Sequence, residues 1–232
     1  MRVSLAVWVQ PLSDCTPIIP AAGSATRMRG LPKFLLPCDE QHTTLLERQV
    51  NSSLDTHDKV VLPVHPENQY LLGKLGLSDE VEVIPMETKT MSETVLVAAD
   101  LFGSERYSVF MPDTFFSGGM PHQSLSECQK PVCVATWNVR KEQIGKVGQV
   151  RTDKFGRITA VRDKDKDCEF PLLWGAVSFS KNLLKHLDPE SPHVGYLIQE
   201  YVELGQEVFC IKVEGSYYDC GTPAEYFQCL ND

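Results

Sequence analysis

The segment IIPAAGSATRMRGLPKFLLP, residues 18–37, combines small residues with basic side chains in a pattern suited to binding anions. An apolar run stops at Gly23, and Arg27, Arg29 and Lys33 follow before the next apolar run begins. Small residues allow backbone N–H groups to approach phosphate oxygens closely, and guanidinium and ammonium groups add full positive charge. The segment therefore predicts a phosphate-binding loop.

This loop is neither of the two most familiar phosphate-binding motifs. The pattern G-x-x-x-x-G-K-[ST] is missing, because neither Gly23 nor Gly30 is followed by Lys-Ser/Thr, and G-x-G-x-x-G is missing as well. The missing glycine fingerprint argues against a dinucleotide-dependent oxidoreductase.

The elements around the loop alternate between strand-like and helical patterns. Apolar runs typical of buried strands are PIIPA, KVVLPV, VEVIP, YSVFMP and PVCVATW. Helical patterns lie between them, and in TLLERQVNSSL one face is formed by Leu45, Leu46, Val50 and Leu54. This order predicts an α/β fold with a doubly wound, mostly parallel sheet and helices on both faces. Ligands bind such sheets at the carboxyl ends of the strands, which is where the loop lies.

After about residue 140 the pattern becomes richer in short strands. GKVGQVRTDKFGRITAVRDK predicts two strands around a turn, LLWGAVSFS predicts another strand, and EVFCIKVEGSYYDCG predicts a hairpin. We expect residues 1–16 to be an N-terminal extension and residues 17–232 to be a single domain with a more β-rich C-terminal half.

Charge and composition argue against several classes of function. The chain has 22 Lys and Arg against 31 Asp and Glu, a formal net charge of −9, which disfavours a protein that binds nucleic acid over its whole surface. No apolar stretch approaches the roughly 20 residues that a membrane span needs. The eight cysteines form no CxxC pair and several lie in apolar runs, so we expect reduced, buried thiols in a cytoplasmic protein.

The loop resembles the signature of a known enzyme family. PAAGSATRMRGLPKFLLP is similar to the A-G-x-x-T/S-R-M/L…P-K-x-L-L-P motif of the nucleotidyltransferases that activate sugar phosphates and related alcohol phosphates. Further segments resemble that family in the same order: TLLERQV, MSETVLVAADLF, VFMPDTFF, ITAVRDKDKD, LLWGAVSFS and YYDCGTPAEYF. The resemblance spans residues 18–227, and the ordered series is more specific than any single match.

The resemblance implies a reaction and roles for individual residues. A phosphate oxygen of the acceptor attacks the α-phosphorus of a nucleoside triphosphate and pyrophosphate leaves, with Mg²⁺ as the cofactor. The implied catalytic residues are Arg27 and Lys33, and the implied metal ligands are Asp113 and Asp219. The implied nucleotide-binding residues are Ala21, Ala22, Gly23, Ser24, Ala25, Thr26, Arg27, Ser92 and Thr94. The implied acceptor-binding residues are Gly148, Asp163, Lys164 and Gly175.

Two segments depart from the family pattern. Ser92-Glu93-Thr94 replaces the usual Gly-Thr, and Asp163-Lys164 replaces the commoner Glu-Lys. Trp174 fits the core and the pocket wall equally well, and none of the six histidines is assigned a role.

The nucleotide and the acceptor stay open. The short spacing from Arg27 to Pro32 is nearer to the small cytidylyl- and molybdopterin-type transferases, whereas YYDCGTP is nearer to the sugar-phosphate branch. A sugar 1-phosphate is the expected acceptor, and the alternative is a CTP-dependent enzyme acting on an alcohol phosphate such as phosphocholine. A non-catalytic relative of the same fold is a third interpretation, against which the retained Arg27, Lys33, Asp113 and Asp219 count. The resemblance also leaves the oligomeric state open.

Overall fold

The computed structural model describes residues 14–23 and 31–231. Its strands are β1 (Cys15–Ile18), β2 (Val60–Val64), β3 (Val81–Pro85), β4 (Arg106–Phe110), β5 (Thr114–Gly118), β6 (Val132–Asn138), β7 (Gly148–Thr152), β8 (Ile158–Asp163), β9 (Leu172–Ser180), β10 (Phe209–Lys212) and β11 (Gly215–Asp219). Its helices are α1 (Leu45–Leu54), α2 (Gln69–Leu72), α3 (Met91–Phe102), α4 (His122–Glu127), α5 (Gly195–Glu203) and α6 (Pro223–Cys229). None of these helices is long and apolar enough to span a membrane.

Most strands belong to one sheet, whose central path runs β10-β6-β9-β4-β1-β2-β3. Every neighbouring pair along this path is parallel, except the two pairs that β9 makes with β6 and β4. The β7–β8 hairpin joins the sheet through antiparallel pairing of β7 with β9. The prediction of a mostly parallel sheet with a β-rich second half is confirmed. β1 begins at Cys15, inside the predicted extension.

The sheet separates two hydrophobic cores, each covered by helices. Ile18 at the end of β1 packs in one core with Val95 of α3 and Leu197 of α5. The next residue, Ile19, packs in the other core with Leu46 of α1 and with α4. Neighbouring residues of a strand point to opposite faces of the sheet, so helices cover both faces as predicted.

Helix α1 forms as its sequence pattern predicts. It begins at Thr44, whose side chain accepts a hydrogen bond from the Glu47 N–H, while the Glu47 carboxylate accepts one from the Thr44 N–H. Leu46, Val50 and Leu54 pack in the same core as Ile19, as the predicted apolar face requires. Leu45 is also buried, but it packs in a separate small cluster with Tyr218 of β11.

The predicted hairpin over EVFCIKVEGSYYDCG does not form. Strand β10 pairs with β6 in the large sheet, whereas β11 pairs with β5 in a separate two-stranded antiparallel sheet. The chain enters β11 at Gly215, whose φ of 91° lies in the left-handed region that favours glycine. An ideal Cβ at this position would overlap the Ser117 carbonyl oxygen, so the close approach of β11 to β5 requires a glycine here.

One pair of cysteines differs from the sequence prediction. Cys128 and Cys133 form a disulfide, so the expectation of eight reduced thiols is wrong for this pair. Cys128 follows the end of α4 and Cys133 lies in β6, which brings their Cα atoms to 6.6 Å from each other. The two residues meet through the fold of α4 onto the sheet, which the sequence spacing does not reveal.

The packing around Gly175 generates a prediction about stability. An ideal Cβ at Gly175 would overlap the Tyr217 ring and lie 2.9 Å from Trp137 Cζ3. We expect Gly175→Ala to lower the free energy of unfolding by about 1–3 kcal/mol, because both rings are buried and cannot move aside freely. Urea unfolding of the two proteins measures this difference.

Gly73→Ala is the matched control. Its nearest neighbour would be the Tyr70 carbonyl oxygen at 3.6 Å, and its φ of −63° suits alanine. We expect this change to stay within about 0.5 kcal/mol of the unsubstituted protein. Equal free energies of unfolding for Gly175→Ala and Gly73→Ala would contradict this prediction and mean that the Tyr217 and Trp137 rings move aside at little cost.

Candidate active site

Two aspartates that are distant in sequence come together where β5 meets β11. Asp113 directly precedes β5, and Asp219 ends β11 opposite Thr114, the residue after Asp113. The Cys220 N–H donates a 3.0 Å hydrogen bond to the Asp113 carbonyl oxygen, which fixes the two chain segments to each other. The Gly221 N–H donates to Asp219 Oδ1 at 3.0 Å. The two predicted metal ligands therefore belong to one site.

Lys33 lies beside this carboxylate pair. It begins a short 3₁₀ turn, its side chain is only 9% exposed, and its Nζ lies 3.4 Å from Asp113 Oδ2. A buried ammonium requires a counter-charge, and Asp113 supplies it. The ammonium carries three N–H donors and the carboxylate has several acceptor sites, so both groups can bind a further ligand while they remain in contact.

A cavity of about 310 Å³, the first cavity, opens in front of the two aspartates. It brings together five residues with predicted roles: Asp113, Gly148, Asp163, Lys164 and Asp219. The rest of its wall consists of residues without a predicted role and of Trp174, whose position was left open: Met91, Met111, Thr114, Lys146, Val147, Trp174, Pro192, His193 and Tyr217. Carboxylates and ammonium groups thus share one partly apolar space.

His193 fixes the carboxylate of Asp163. The Gly195 N–H donates to His193 Nδ1 at 3.1 Å, so in the neutral ring the proton lies on Nε2, which faces Asp163 Oδ2 at 3.2 Å. This hydrogen bond from His193 holds the pKa of Asp163 below its ordinary value and keeps the carboxylate ionised.

Two lysines give the same region positive charge. Lys164 has a φ of 50°, which is uncommon for a residue with a side chain, and its N–H donates to the Val147 carbonyl oxygen at 3.2 Å. Lys146 is half exposed and reaches Glu225 only at 4.0 Å. Both side chains can therefore turn towards an anion in the first cavity.

Gly175 does not lie in the wall of the first cavity, although the resemblance implied a role in acceptor binding. It lies beneath the Tyr217 ring, which forms part of the first cavity, and leaves room for that ring. Burial holds the pKa of Tyr217 well above its ordinary value, so the phenol stays neutral. The structure thus gives Gly175 a packing contact below the cavity.

A second cavity, of about 360 Å³, adjoins the first. Its wall includes the start of the predicted phosphate-binding loop and the segment leading into α3: Pro20, Ala22, Gly23, Thr88, Lys89, Thr90, Met91, Thr94 and Pro192. Met91 and Pro192 also line the first cavity, so the two spaces are neighbours.

Thr94 and Ser92 occupy different environments. The Thr94 hydroxyl donates to the Thr90 carbonyl oxygen at 3.0 Å and lies 2.6 Å from the Thr88 hydroxyl, at the wall of the second cavity. Ser92 is fully buried outside both cavity walls, and its hydroxyl has no hydrogen-bond partner in the described part of the chain. Of the two nucleotide-binding residues that were predicted on α3, only Thr94 lines the second cavity.

The structure covers part of the predicted phosphate-binding loop. Ala22 and Gly23 line the second cavity, whereas the Ala21 N–H donates to the Pro63 carbonyl oxygen at 2.8 Å and continues the strand pairing. The predicted residues that lie outside the described ranges are Ser24, Ala25, Thr26 and Arg27.

His193 and Lys146 belong to the site although the sequence pattern did not identify them. His193 meets Asp163 across 30 residues of sequence, and no motif spacing joins them. His193 stands just before the start of α5, and nothing in its sequence neighbourhood indicates a contact with β8.

Comparisons with known proteins establish the fold. No family model matches the chain, and no curated protein matches it. A UDP-glucose pyrophosphorylase complexed with UDP-glucose is similar in structure, with a TM-score of 0.77 and 18% identity over 93% of this chain and 97% of that chain. The apo form of a UDP-glucose pyrophosphorylase gives a TM-score of 0.74 and 17% identity over 93% and 96% of the two chains.

A third similar structure comes from Bacillus anthracis. It is described as a glucose-1-phosphate thymidylyltransferase in complex with sucrose, and it gives a TM-score of 0.78 and 14% identity over 94% of each chain. At these identities the likeness establishes a shared fold. The fold that the sequence resemblance implied is confirmed over almost the whole chain.

Proposed function

We propose that this protein is a nucleotidyltransferase that transfers a nucleoside monophosphate from a triphosphate to a sugar 1-phosphate and releases pyrophosphate. The observation that carries the proposal is the meeting of Lys33, Asp113 and Asp219 from three distant parts of the sequence. The activities named for proteins of the same fold, a UDP-glucose pyrophosphorylase and a glucose-1-phosphate thymidylyltransferase, support it.

The reaction joins two anions, so its main physical requirement is positive charge in the right place. An oxygen of the acceptor phosphate forms a bond to the α-phosphorus, the bond from that phosphorus to the bridging oxygen breaks, and pyrophosphate leaves with the electron pair. The buried Lys33 ammonium is suited to stabilise charge on the reacting phosphate, because a preorganised charge in a desolvated site acts strongly. Arg27 would assist from the phosphate-binding loop.

The donor set suits Mg²⁺. Asp113 and Asp219 offer hard carboxylate oxygens, and Mg²⁺ is commonly held by one or two carboxylates together with substrate phosphates and water. No group of three or more His, Cys, Asp or Glu side chains is arranged for a metal in the described ranges. When bound, Mg²⁺ would neutralise phosphate charge and orient the phosphates.

The two cavities suit the two substrates. The second cavity begins at the phosphate-binding loop and would take the nucleoside, with Thr88 and Thr94 near the base. The first cavity would take the acceptor, with Lys164 and Lys146 near its phosphate and Asp163 accepting hydrogen bonds from hydroxyls. Their shared wall at Met91 and Pro192 would bring the α-phosphate and the acceptor phosphate close to each other.

The decisive test measures pyrophosphate release. The full chain is incubated with each common triphosphate, a panel of sugar 1-phosphates and phosphocholine, with and without Mg²⁺. Release that requires both a triphosphate and a sugar 1-phosphate supports the proposal. Release with phosphocholine and CTP alone would instead support the alcohol-phosphate alternative, and no release with any pair would support a non-catalytic relative.

We expect Lys33→Ala to lower kcat by about 10²–10³, because one preorganised positive charge is lost at the reacting phosphate. Lys212→Ala, which removes an exposed lysine, is the matched control and should leave kcat unchanged. Steady-state kinetics with both substrates saturating measure the effect, and circular dichroism confirms that both variants are folded. A Lys33→Ala variant within threefold of the unsubstituted protein would remove Lys33 from the mechanism.

Asp113→Asn and Asp219→Asn should each lower activity severely, and the double change should lower it by much less than the product of the two effects. The reason is that either change alone already disrupts one shared site. Raising Mg²⁺ should partly restore each single variant by mass action. Asp100→Asn, at an exposed position of α3, is the control and should respond to Mg²⁺ like the unsubstituted protein.

Activity titrated against Mg²⁺, with excess chelator as the zero point, distinguishes the possible results. Full activity in chelator, or two independent losses that multiply, would contradict a metal site shared by Asp113 and Asp219.

Thr94→Val should change the preference between two triphosphates by about tenfold, because it removes a hydroxyl at the wall of the second cavity and leaves Thr88 without its partner. Ser92→Ala should leave that preference unchanged, since Ser92 is buried outside the cavity wall. The ratio of kcat/KM values for the two triphosphates is the measurement. A changed ratio in Ser92→Ala together with an unchanged ratio in Thr94→Val would mean that Ser92, and not Thr94, determines the preference between triphosphates.

A further inference from the structure

The small sheet of β5 and β11 has two edges at which no further strand of the described chain pairs. In an antiparallel pair, every second residue directs its N–H and C=O away from the other strand. Asp113 bonds inward, since its carbonyl oxygen accepts from the Cys220 N–H, so the Thr114 carbonyl oxygen faces outward. By the same alternation the Tyr217 carbonyl oxygen faces outward from β11. A sheet of two strands is marginally stable by itself, so these outward groups need partners.

A glutamine side chain satisfies each edge of the small sheet. Gln49 of α1 is fully buried and donates from Nε2 to the Thr114 carbonyl oxygen at 2.9 Å. Gln143 ends the 3₁₀ turn Lys141–Gln143, is buried as well, and donates from Nε2 to the Tyr217 carbonyl oxygen at 2.8 Å. The two side-chain amides therefore hold the small sheet from opposite edges.

An arginine accompanies each glutamine. The Arg48 guanidinium lies 4.5 Å from the centre of the Phe115 ring on β5. The Arg140 guanidinium lies 4.2 Å from the centre of the Tyr218 ring on β11, and the Arg140 N–H donates to Gln143 Oε1 at 2.9 Å. Each strand of the small sheet is thus held by one amide on its backbone and by one cation over an aromatic ring.

Gln49 carries a cost that packing alone does not explain. Its Oε1 is buried and has no hydrogen-bond partner among residues 14–23 and 31–231. A buried acceptor without a partner costs free energy, and an apolar side chain of the same size would avoid that cost. What an apolar side chain cannot supply is the Nε2 donor, which holds the residue next to Asp113.

We propose that Gln49 and Gln143 are positioning residues that fix the separation of the two site aspartates, and that they thereby set the affinity of the site for a divalent cation. Gln49 holds the backbone one residue after Asp113, and Gln143 holds it two residues before Asp219. Mg²⁺ demands near-ideal octahedral geometry at short distances, so loosening either strand weakens the grip of both carboxylates. The role of the aspartates as metal ligands rests on the proposed function.

Direct binding of Mn²⁺ tests this role without turnover. Mn²⁺ prefers the same hard oxygen ligands as Mg²⁺, and electron paramagnetic resonance measures the free ion in a titration with the full chain. We expect Gln49→Met and Gln143→Met, which keep the length of the side chain and lose the donor, each to raise the Kd for Mn²⁺ about tenfold. Asp113→Asn shows the result of losing a ligand. Absence of Mn²⁺ binding in the unsubstituted chain would overturn the proposal.

Gln149→Met is the matched control. Gln149 of β7 is also fully buried, donates from Nε2 to the Phe170 carbonyl oxygen at 2.9 Å, and has an Oε1 without a partner in the described part of the chain. Its loss removes the same kind of hydrogen bond without touching the small sheet. We expect the Kd for Mn²⁺ to stay unchanged in this variant. An equal rise in Gln149→Met and Gln49→Met would mean that general loss of stability weakens binding, and would overturn the positioning role.

Hydrogen exchange tests whether the effect passes through the small sheet. The Cys220 N–H donates to the Asp113 carbonyl oxygen at 3.0 Å, and the Gly119 N–H donates to the Glu214 carbonyl oxygen at 3.1 Å. We expect both segments to exchange faster in Gln49→Met and Gln143→Met, and at the unsubstituted rate in Gln149→Met, as measured by mass spectrometry of their peptides. A weaker Mn²⁺ affinity with unchanged exchange would contradict a role through the sheet.

Failure of this inference and failure of the proposed function give different results. Mn²⁺ affinity that depends on Gln49 and Gln143, without any pyrophosphate release, would retain the positioning role and reject the transferase. Pyrophosphate release that is half-activated by the same Mg²⁺ concentration in both variants and in the unsubstituted protein would retain the transferase and reject the positioning role.

Discussion

The antiparallel pairing of β5 with β11 is the constraint on which the rest of the site depends. These strands form a sheet separate from the large one, and their pairing brings Asp113, which precedes β5, close to Asp219 at the end of β11. Arg48 and Gln49 of α1 secure β5 by donating hydrogen bonds to the Phe116 and Thr114 carbonyl oxygens at 3.1 and 2.9 Å. Without this small sheet, nothing would hold Asp219 close to Asp113, which is the partner of the buried Lys33 ammonium.

Charge in the site is arranged in two groups, although the protein as a whole is acidic, with a formal net charge of −9. One group joins Lys33 to Asp113, and the other joins His193 to Asp163. In each pair the donor and the carboxylate come from different elements, so the pair forms only when the chain is folded. A site of this kind can receive anions because Asp113 and Asp163 already have cationic or hydrogen-bonding partners, while Lys146 and Lys164 line the cavity.

The sequence predicted the parallel sheet and its helices, because hydrophobic periodicity is a local property, and the family resemblance implied five of the residues that line the first cavity. It failed for the predicted hairpin of β10 and β11, since the short connection between them is a local signal whereas the partner of β11 is β5, which is distant in sequence. It did not identify His193, because the contact with Asp163 joins two elements across the sequence. Ser92 and Thr94 also looked equivalent, and only their positions on α3 separate a buried hydroxyl from one beside a cavity.

Two glycines that the family resemblance assigned to acceptor binding, Gly148 and Gly175, make room for aromatic rings instead. Gly148 and Gly175 resemble positions where a substrate approaches the backbone, yet each is filled by an aromatic ring, Trp174 over the first and Tyr217 over the second. Both rings line the first cavity, so the space that the glycines open is occupied by flat side chains that form part of its wall. A ring held in this way forms a fixed, flat part of the cavity wall. A side chain at either glycine would displace a ring of the cavity wall, so the two glycines determine the shape of this part of the first cavity.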